Sequence, residues 1–156
     1  MKYFTVSELI KSETAINRKI WNGATREIED NLIALTAAVL DPLRENYGKP
    51  IHVSSGYRSS AVNKSVGGSM TSQHLLGEAA DIYVDSGKKG NFELGKLIVK
   101  LGSYDQVIFE DVGQNDLLPQ WIHVSWKRQG ANRGQIYKKV KGSTIYSCVT
   151  QKELGL

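Results

Sequence analysis

Apolar and polar positions follow two rhythms along this 156-residue chain. In the first third the rhythm is helical. Ile28, Leu32, Leu35, Val39 and Leu43 recur at spacings of three and four, which predicts one amphipathic helix with a single apolar stripe. Thr25, followed by Glu27, opens it, and Gly48 and Pro50 end it. Pro42 falls late in the run and predicts a kink or break near Leu40. Before it, Thr5 or Ser7 can cap a short helix over residues 7–15, with a turn-rich connection over 15–25.

After Pro50 the rhythm shortens to two. "IHVSSGYR" reads as a strand, with Ile51 and Val53 on one face and His52 and Ser54 on the other. "SSAVNKSVGG" reads as a short helix capped by Ser59 or Ser60 and stopped at Gly67 and Gly68. A loop, "SMTSQHLLG", leads to the strand "EAADIYV". There Ala80, Ile82 and Val84 alternate with Ala79, Asp81 and Tyr83. "NFELGKLIVKLG" returns to the helical period despite Gly95. "YDQVIFE" and "WIHVSW" are two further strands joined by a polar loop, and "GQIYKKV" with "TIYSCVT" predicts a terminal hairpin. Helices first and then mainly strands imply an α+β fold with a small antiparallel β-sheet and flanking helices.

Composition adds bounds rather than identity. The length suits one domain over residues 1–156, with 40% apolar and 23% charged residues. A net charge of +4 suits a polyanionic neighbour such as cell-wall polymer or nucleic acid without specifying either. No helix–turn–helix, finger or basic–aromatic pattern supports nucleic-acid binding. The single cysteine, Cys148, excludes an intramolecular disulfide and a multi-cysteine zinc site, and its alternating strand context predicts a buried structural thiol. The start carries no apolar signal segment, and no stretch approaches the roughly 18 apolar residues of a membrane span. The expectation is a soluble monomer without a signal peptide and without membrane contact.

Chemistry enters at three places. In "WIHVSW", His123 alternates with Ile122 and Val124 and so projects from the non-core face of its strand. Asp81 lies opposite Ala80 and Ile82 in the same way. A lone histidine or aspartate so placed is usually a surface group. Neighbouring strands would nevertheless bring these two together, and His74, in the loop before Asp81, could close over them. Two imidazoles and one carboxylate make a three-ligand zinc site with a position left for water, the catalytic type. The small residues Gly77, Ala79 and Ala80 would allow close approach. His52 has no partner at ligand spacing and reads as a structural or surface histidine.

"SSGYRS" (54–59), "SQHLLGEAADI" (72–82) and "WIHVSW" (121–126), in this order, resemble the zinc D-Ala-D-Ala carboxypeptidase/dipeptidase-like peptidases. These belong to the wider LAS group, with lysostaphin-type enzymes and the hedgehog signalling domain. The likeness is nearest to the branch of phage endolysins and bacterial murein peptidases, and it spans about residues 50–126. It implies a hedgehog/D-Ala-D-Ala peptidase-like fold and Zn²⁺ on His74, Asp81 and His123. It implies that Arg58 holds a substrate carbonyl or carboxylate and stabilises the oxyanion, with Ser72 also in the substrate site. The bound partner would be peptidoglycan peptides, and the chain could be phage-encoded.

One position departs from the pattern. Many relatives carry the catalytic acid three residues before the last histidine, where this chain has Gln120, which cannot accept a proton. Glu110, at the end of "DQVIFE", is the expected general base, with Asp116 in the following loop as the alternative. The sequence therefore carries two functional readings. One is a zinc peptidase acting on peptidoglycan stem peptides or cross-bridges. The other, favoured by Gln120, is a non-catalytic zinc-containing module that binds murein or a partner protein.

Overall fold

The computed structural model describes residues 1–156. Two short helices come first, α1 (Val6–Ile10) and α2 (Glu13–Arg18). The sequence predicts one helix here. There are two because Thr5 caps the first and Ser12 interrupts the run to cap the second, each hydroxyl accepting an N–H three residues on. The second helix also takes up the start of the stretch expected to be turns.

The long amphipathic run folds as α3 (Arg26–Leu35), a π-helical turn (Thr36–Leu40) and α4 (Asp41–Tyr47). Pro42 does not break it. The π turn just upstream accommodates the missing N–H, and Thr36 Oγ1 donates to Leu32 O at 2.8 Å within the same bend. Leu32, Leu35, Val39, Leu40 and Leu43 are all buried.

The remaining elements are β1 (His52–Ser55), α5 (Ser60–Ser65), β2 (Ala79–Tyr83), α6 (Gly87–Leu101), β3 (Gln106–Val112), β4 (Trp121–Ser125), β5 (Gln135–Val140) and β6 (Tyr146–Cys148). The strands form one six-stranded sheet in the order β1-β2-β4-β3-β5-β6. The fold is α+β, as expected, but the sheet is not wholly antiparallel. β5 pairs in parallel with β3, while the expected terminal hairpin β5–β6 is antiparallel.

The register separates the two faces of the sheet. Val53, Ile82, Ile122 and Phe109 are paired across four strands and face the helices. Ile82, Ile122 and Phe109 belong to one cluster with Leu32, Leu43, Leu94 and Ile98, and the partly buried Val53 packs against it. Gly95 is required by this packing. A Cβ there would sit 2.6 Å from the Phe109 ring and 2.9 Å from Ile122, so a glycine that weakens the helix lets α6 press against the sheet. The opposite row, Asp81, His123, Ile108 and Tyr137, faces away from the helices.

Cys148 corrects the sequence reading. It is exposed because β6 is a three-residue edge strand, and Val149 turns into the core in its place. No helix is long and apolar enough to cross a membrane.

Candidate metal centre and active site

Two strands and one turn deliver the three side chains that could hold a metal ion. Asp81 and His123 are directly paired on the antiparallel strands β2 and β4, so their side chains share a face by register alone. His74 comes from a 3₁₀ turn, Gln73–Leu76, inside the segment expected to be loop. Gly77 ends that turn at φ 69°, with a virtual Cβ 2.8 Å from Ile28 O, so a side chain there would be both strained and crowded. The backbone N–H of Arg58 bonds His74 O at 3.1 Å and ties this turn to the loop after β1.

The ligand atoms converge. His74 Nε2 lies 3.2 Å from Asp81 Oδ1 and 3.2 Å from His123 Nδ1, and His123 Nδ1 lies 2.9 Å from Asp81 Oδ1. Ligand atoms about 2.0–2.1 Å from a tetrahedral ion stand about 3.3 Å apart, close to the edges of this triangle. The protonation chemistry agrees. His74 Nδ1 donates to Gly56 O at 2.6 Å, which leaves Nε2 as a lone pair aimed into the triangle. With a carboxylate oxygen and a second imidazole nitrogen there, three acceptor-type atoms share at most one proton. A cation satisfies them. The residues present fit a zinc ion.

Asp81 is buried and doubly engaged. Its Oδ1 faces the imidazoles, and its Oδ2 accepts from Arg58 Nη2 at 2.6 Å. Burial alone would raise its pKa. When protonated, the two facing imidazoles outweigh burial through the charge of His74 and the hydrogen bonds they donate, and hold the carboxyl far below the usual range; a cation among the three atoms would do the same. Arg58 Nε donates in turn to Ser55 Oγ at 2.7 Å. In this structure the guanidinium therefore supports a ligand, and three of its five N–H donors remain for other partners.

The triangle opens into a cleft of about 970 Å³ lined mostly by polar side chains, including Arg58, Ser72 and Glu110. Glu110 ends the unbroken buried run of β3 that starts at Val107. It is paired with Trp121 and stands diagonally from His123 on the same face. Lys139 Nζ donates to its Oε2 at 3.2 Å. Burial pushes the Glu110 carboxyl up, opposed by the Lys139 charge and hydrogen bond and by His123. A β-bulge follows at once. Asp111 has φ 52°, and the register with β5 shifts between Glu110 and Val112. The extra residue keeps Glu110 on the cleft face and returns Val112 to the core.

Neither Asp116, the alternative base, nor Gln120 reaches the cleft. Asp116 is exposed and its Oδ1 accepts from the backbone N–H groups of Gly113 and Leu118, which depress its pKa and tie it to the loop. Gln120 is exposed just before β4 and does not line the cleft. His52 pairs with Asp85 at 2.9 Å and stacks on Tyr83, away from the triangle.

Two features escape sequence reasoning. Asp105, fully buried, takes hydrogen bonds from the Arg133 side chain and backbone and from Gln73 Nε2 at 3.1 Å, with Lys127 Nζ 3.4 Å away. This anchors the residue next to His74, yet no local motif marks a pair 28 residues apart. The second feature is that Arg133, Tyr137, Lys139 and Tyr146 line the cleft. Their alternation in the sequence predicts a hairpin but not where it docks.

No curated protein matches the chain. The model of the peptidase M15 family, whose members are zinc metallopeptidases, matches residues 2–125, which include His74, Asp81, His123, Arg58 and Glu110. On that match and this metal triangle, the chain belongs to the peptidase M15 family.

Proposed function

We propose that the chain is a zinc-dependent hydrolase of peptide bonds in peptidoglycan stem peptides or cross-bridges, a D-Ala-D-Ala carboxypeptidase- or endopeptidase-like enzyme. The observation that carries this reading is the triangle of His74, Asp81 and His123 opening into a polar cleft beside a buried carboxylate, Glu110.

A bound zinc ion would supply Lewis acidity, polarising a carbonyl and making water acidic near neutral pH. The chain supplies the rest. His74 is held in its ligating tautomer by Gly56 O, and Asp81 is oriented by the hydrogen bond from Arg58. Glu110 takes the proton from the attacking water and delivers it to the leaving amine. Its raised pKa suits that double role, because a base nearer neutrality is also a competent acid. The free donors of Arg58 bind the substrate carbonyl or carboxylate, and Ser72 contributes a hydroxyl at the cleft wall. The net charge of +4 favours approach to an anionic wall, a weak effect that salt screens.

The non-catalytic alternative draws its support from Gln120. That position is exposed, and a carboxylate is available in the cleft from β3 instead. The discriminating experiment combines zinc analysis with turnover of purified murein, with and without chelator. The expected result is about one zinc per chain, lost in His123→Ala, and release of fragments that stops on chelation and resumes with zinc. Full zinc occupancy in His123→Ala would overturn the ligand set. A zinc-loaded protein that leaves murein intact would overturn the substrate.

A further inference from the structure

Residues 126–156 lie beyond the family match, yet they build one wall of the cleft. β5 extends the sheet beside β3, and β6 forms its edge. The register carries a single row across four strands: Trp121, Glu110, Lys139 and Tyr146. Lys139 Nζ is the joint of this row, 3.2 Å from Glu110 Oε2 and 6.0 Å from the centre of the Tyr146 ring. The ammonium that grips the proposed base thus lies at the outer edge of cation–π distance from the ring.

Tyr146 is poorly explained as packing. It is 49% exposed and sits on a three-residue edge strand. Its hydroxyl is also free. Tyr47 is the tyrosine whose hydroxyl is bonded within the chain, to Ser86. Tyr146 lines the same cleft as Asp81 and His123, and its phenol, protonated near neutral pH like any tyrosine, is a donor there; partial burial and the carboxylates of Glu110 and Asp81 raise its pKa further. Arg58 keeps three donors beyond those given to Ser55 and Asp81, and a carbonyl oxygen has two lone pairs, so a second donor has a place beside it.

We propose that Tyr146 is a catalytic residue of this chain, donating its phenolic hydrogen bond to the carbonyl oxygen of the bond being cut, with Lys139 positioning both Tyr146 and Glu110. The proposal rests on the peptidase reading above. No proton is transferred at Tyr146. The hydrogen bond strengthens as negative charge develops on the oxygen, so its contribution is larger in the transition state than in the bound substrate.

The test is Tyr146→Phe, which keeps the ring and removes the donor. Turnover should fall about 100-fold with KM within about two-fold, at unchanged zinc content and melting temperature. A second readout does not depend on which bond is cut. Inorganic phosphate, a tetrahedral anion, should bind the zinc-loaded Phe variant about tenfold more weakly than the parent, as expected for loss of one hydrogen bond to a charged group. If the parent cuts murein and the Phe variant keeps both turnover and phosphate affinity within about two-fold, the role of Tyr146 is overturned and the peptidase reading stands. If phosphate affinity depends on Tyr146 but the parent cuts no murein peptide, the peptidoglycan reading is overturned and the donor role stands.

Discussion

Removing the charge at Asp105 should destabilise the protein in a way that vanishes in acid. Asp105 has no exposed surface, and its carboxylate is met by the Arg133 guanidinium, the Arg133 N–H at 2.9 Å and Gln73 Nε2 at 3.1 Å. Burial works against ionisation, but the Arg133 hydrogen bonds and charge outweigh it and lower the pKa from an ordinary 3.8 to about 2. At about 1.4 kcal/mol per unit, the ionised group contributes about 2 kcal/mol of pH-dependent stability. The sign follows from the depression. The contribution is complete above the unfolded value near 4 and is lost as pH falls through the folded value near 2. Asp105→Asn leaves Arg133 half-exposed and open to water, so the loss at neutral pH should fall at or just below the roughly 3–5 kcal/mol of fully buried pairs, about 2–3 kcal/mol. Urea unfolding of parent and variant at a series of pH values measures it. The stability gap should close by about 2 kcal/mol between pH 5 and pH 2. A gap constant across that range would refute the assigned electrostatics.

Glu110→Gln should lower turnover by about 10²–10⁴-fold with zinc retained, while Asp116→Asn changes it little; steady-state kinetics beside metal analysis decides between them. Lys139→Met removes the charge that opposes the burial of Glu110, so the Glu110 pKa rises further and the acid limb of kcat/KM should move to higher pH; an unmoved limb would remove Glu110 from the titration. Asp111 holds a left-handed conformation that costs an L residue about 1–2 kcal/mol. Asp111→Gly should therefore leave stability unchanged or raise it by up to about 1 kcal/mol, whereas Asp111→Val should lower it, both read from denaturant midpoints.

What could be read in the sequence depended on the range of the interaction. Asp81 and His123 were legible because strand alternation fixes the face of each, and Arg58 and His74 because motifs mark them. The 3₁₀ turn beneath His74 was not legible, since its stabilising contacts, Gly56 O and Arg58 N, are tertiary. The π turn that absorbs Pro42 and the parallel docking of β5 on β3 escaped for the same reason. That docking brings Lys139 and Tyr146 to Glu110, so the part of the cleft furthest from the motifs was the part hidden from sequence reasoning. Cys148 was misplaced because alternation alone does not distinguish an edge strand from a central one.

The most direct test is mass spectrometry of peptides released from purified murein by the zinc-loaded protein. The account predicts fragments that have each gained one water at a single type of peptide bond, absent after chelation, restored by zinc and lost in Glu110→Gln. Intact murein peptides in the presence of bound zinc, or cleavage indifferent to both chelator and Glu110, would contradict it.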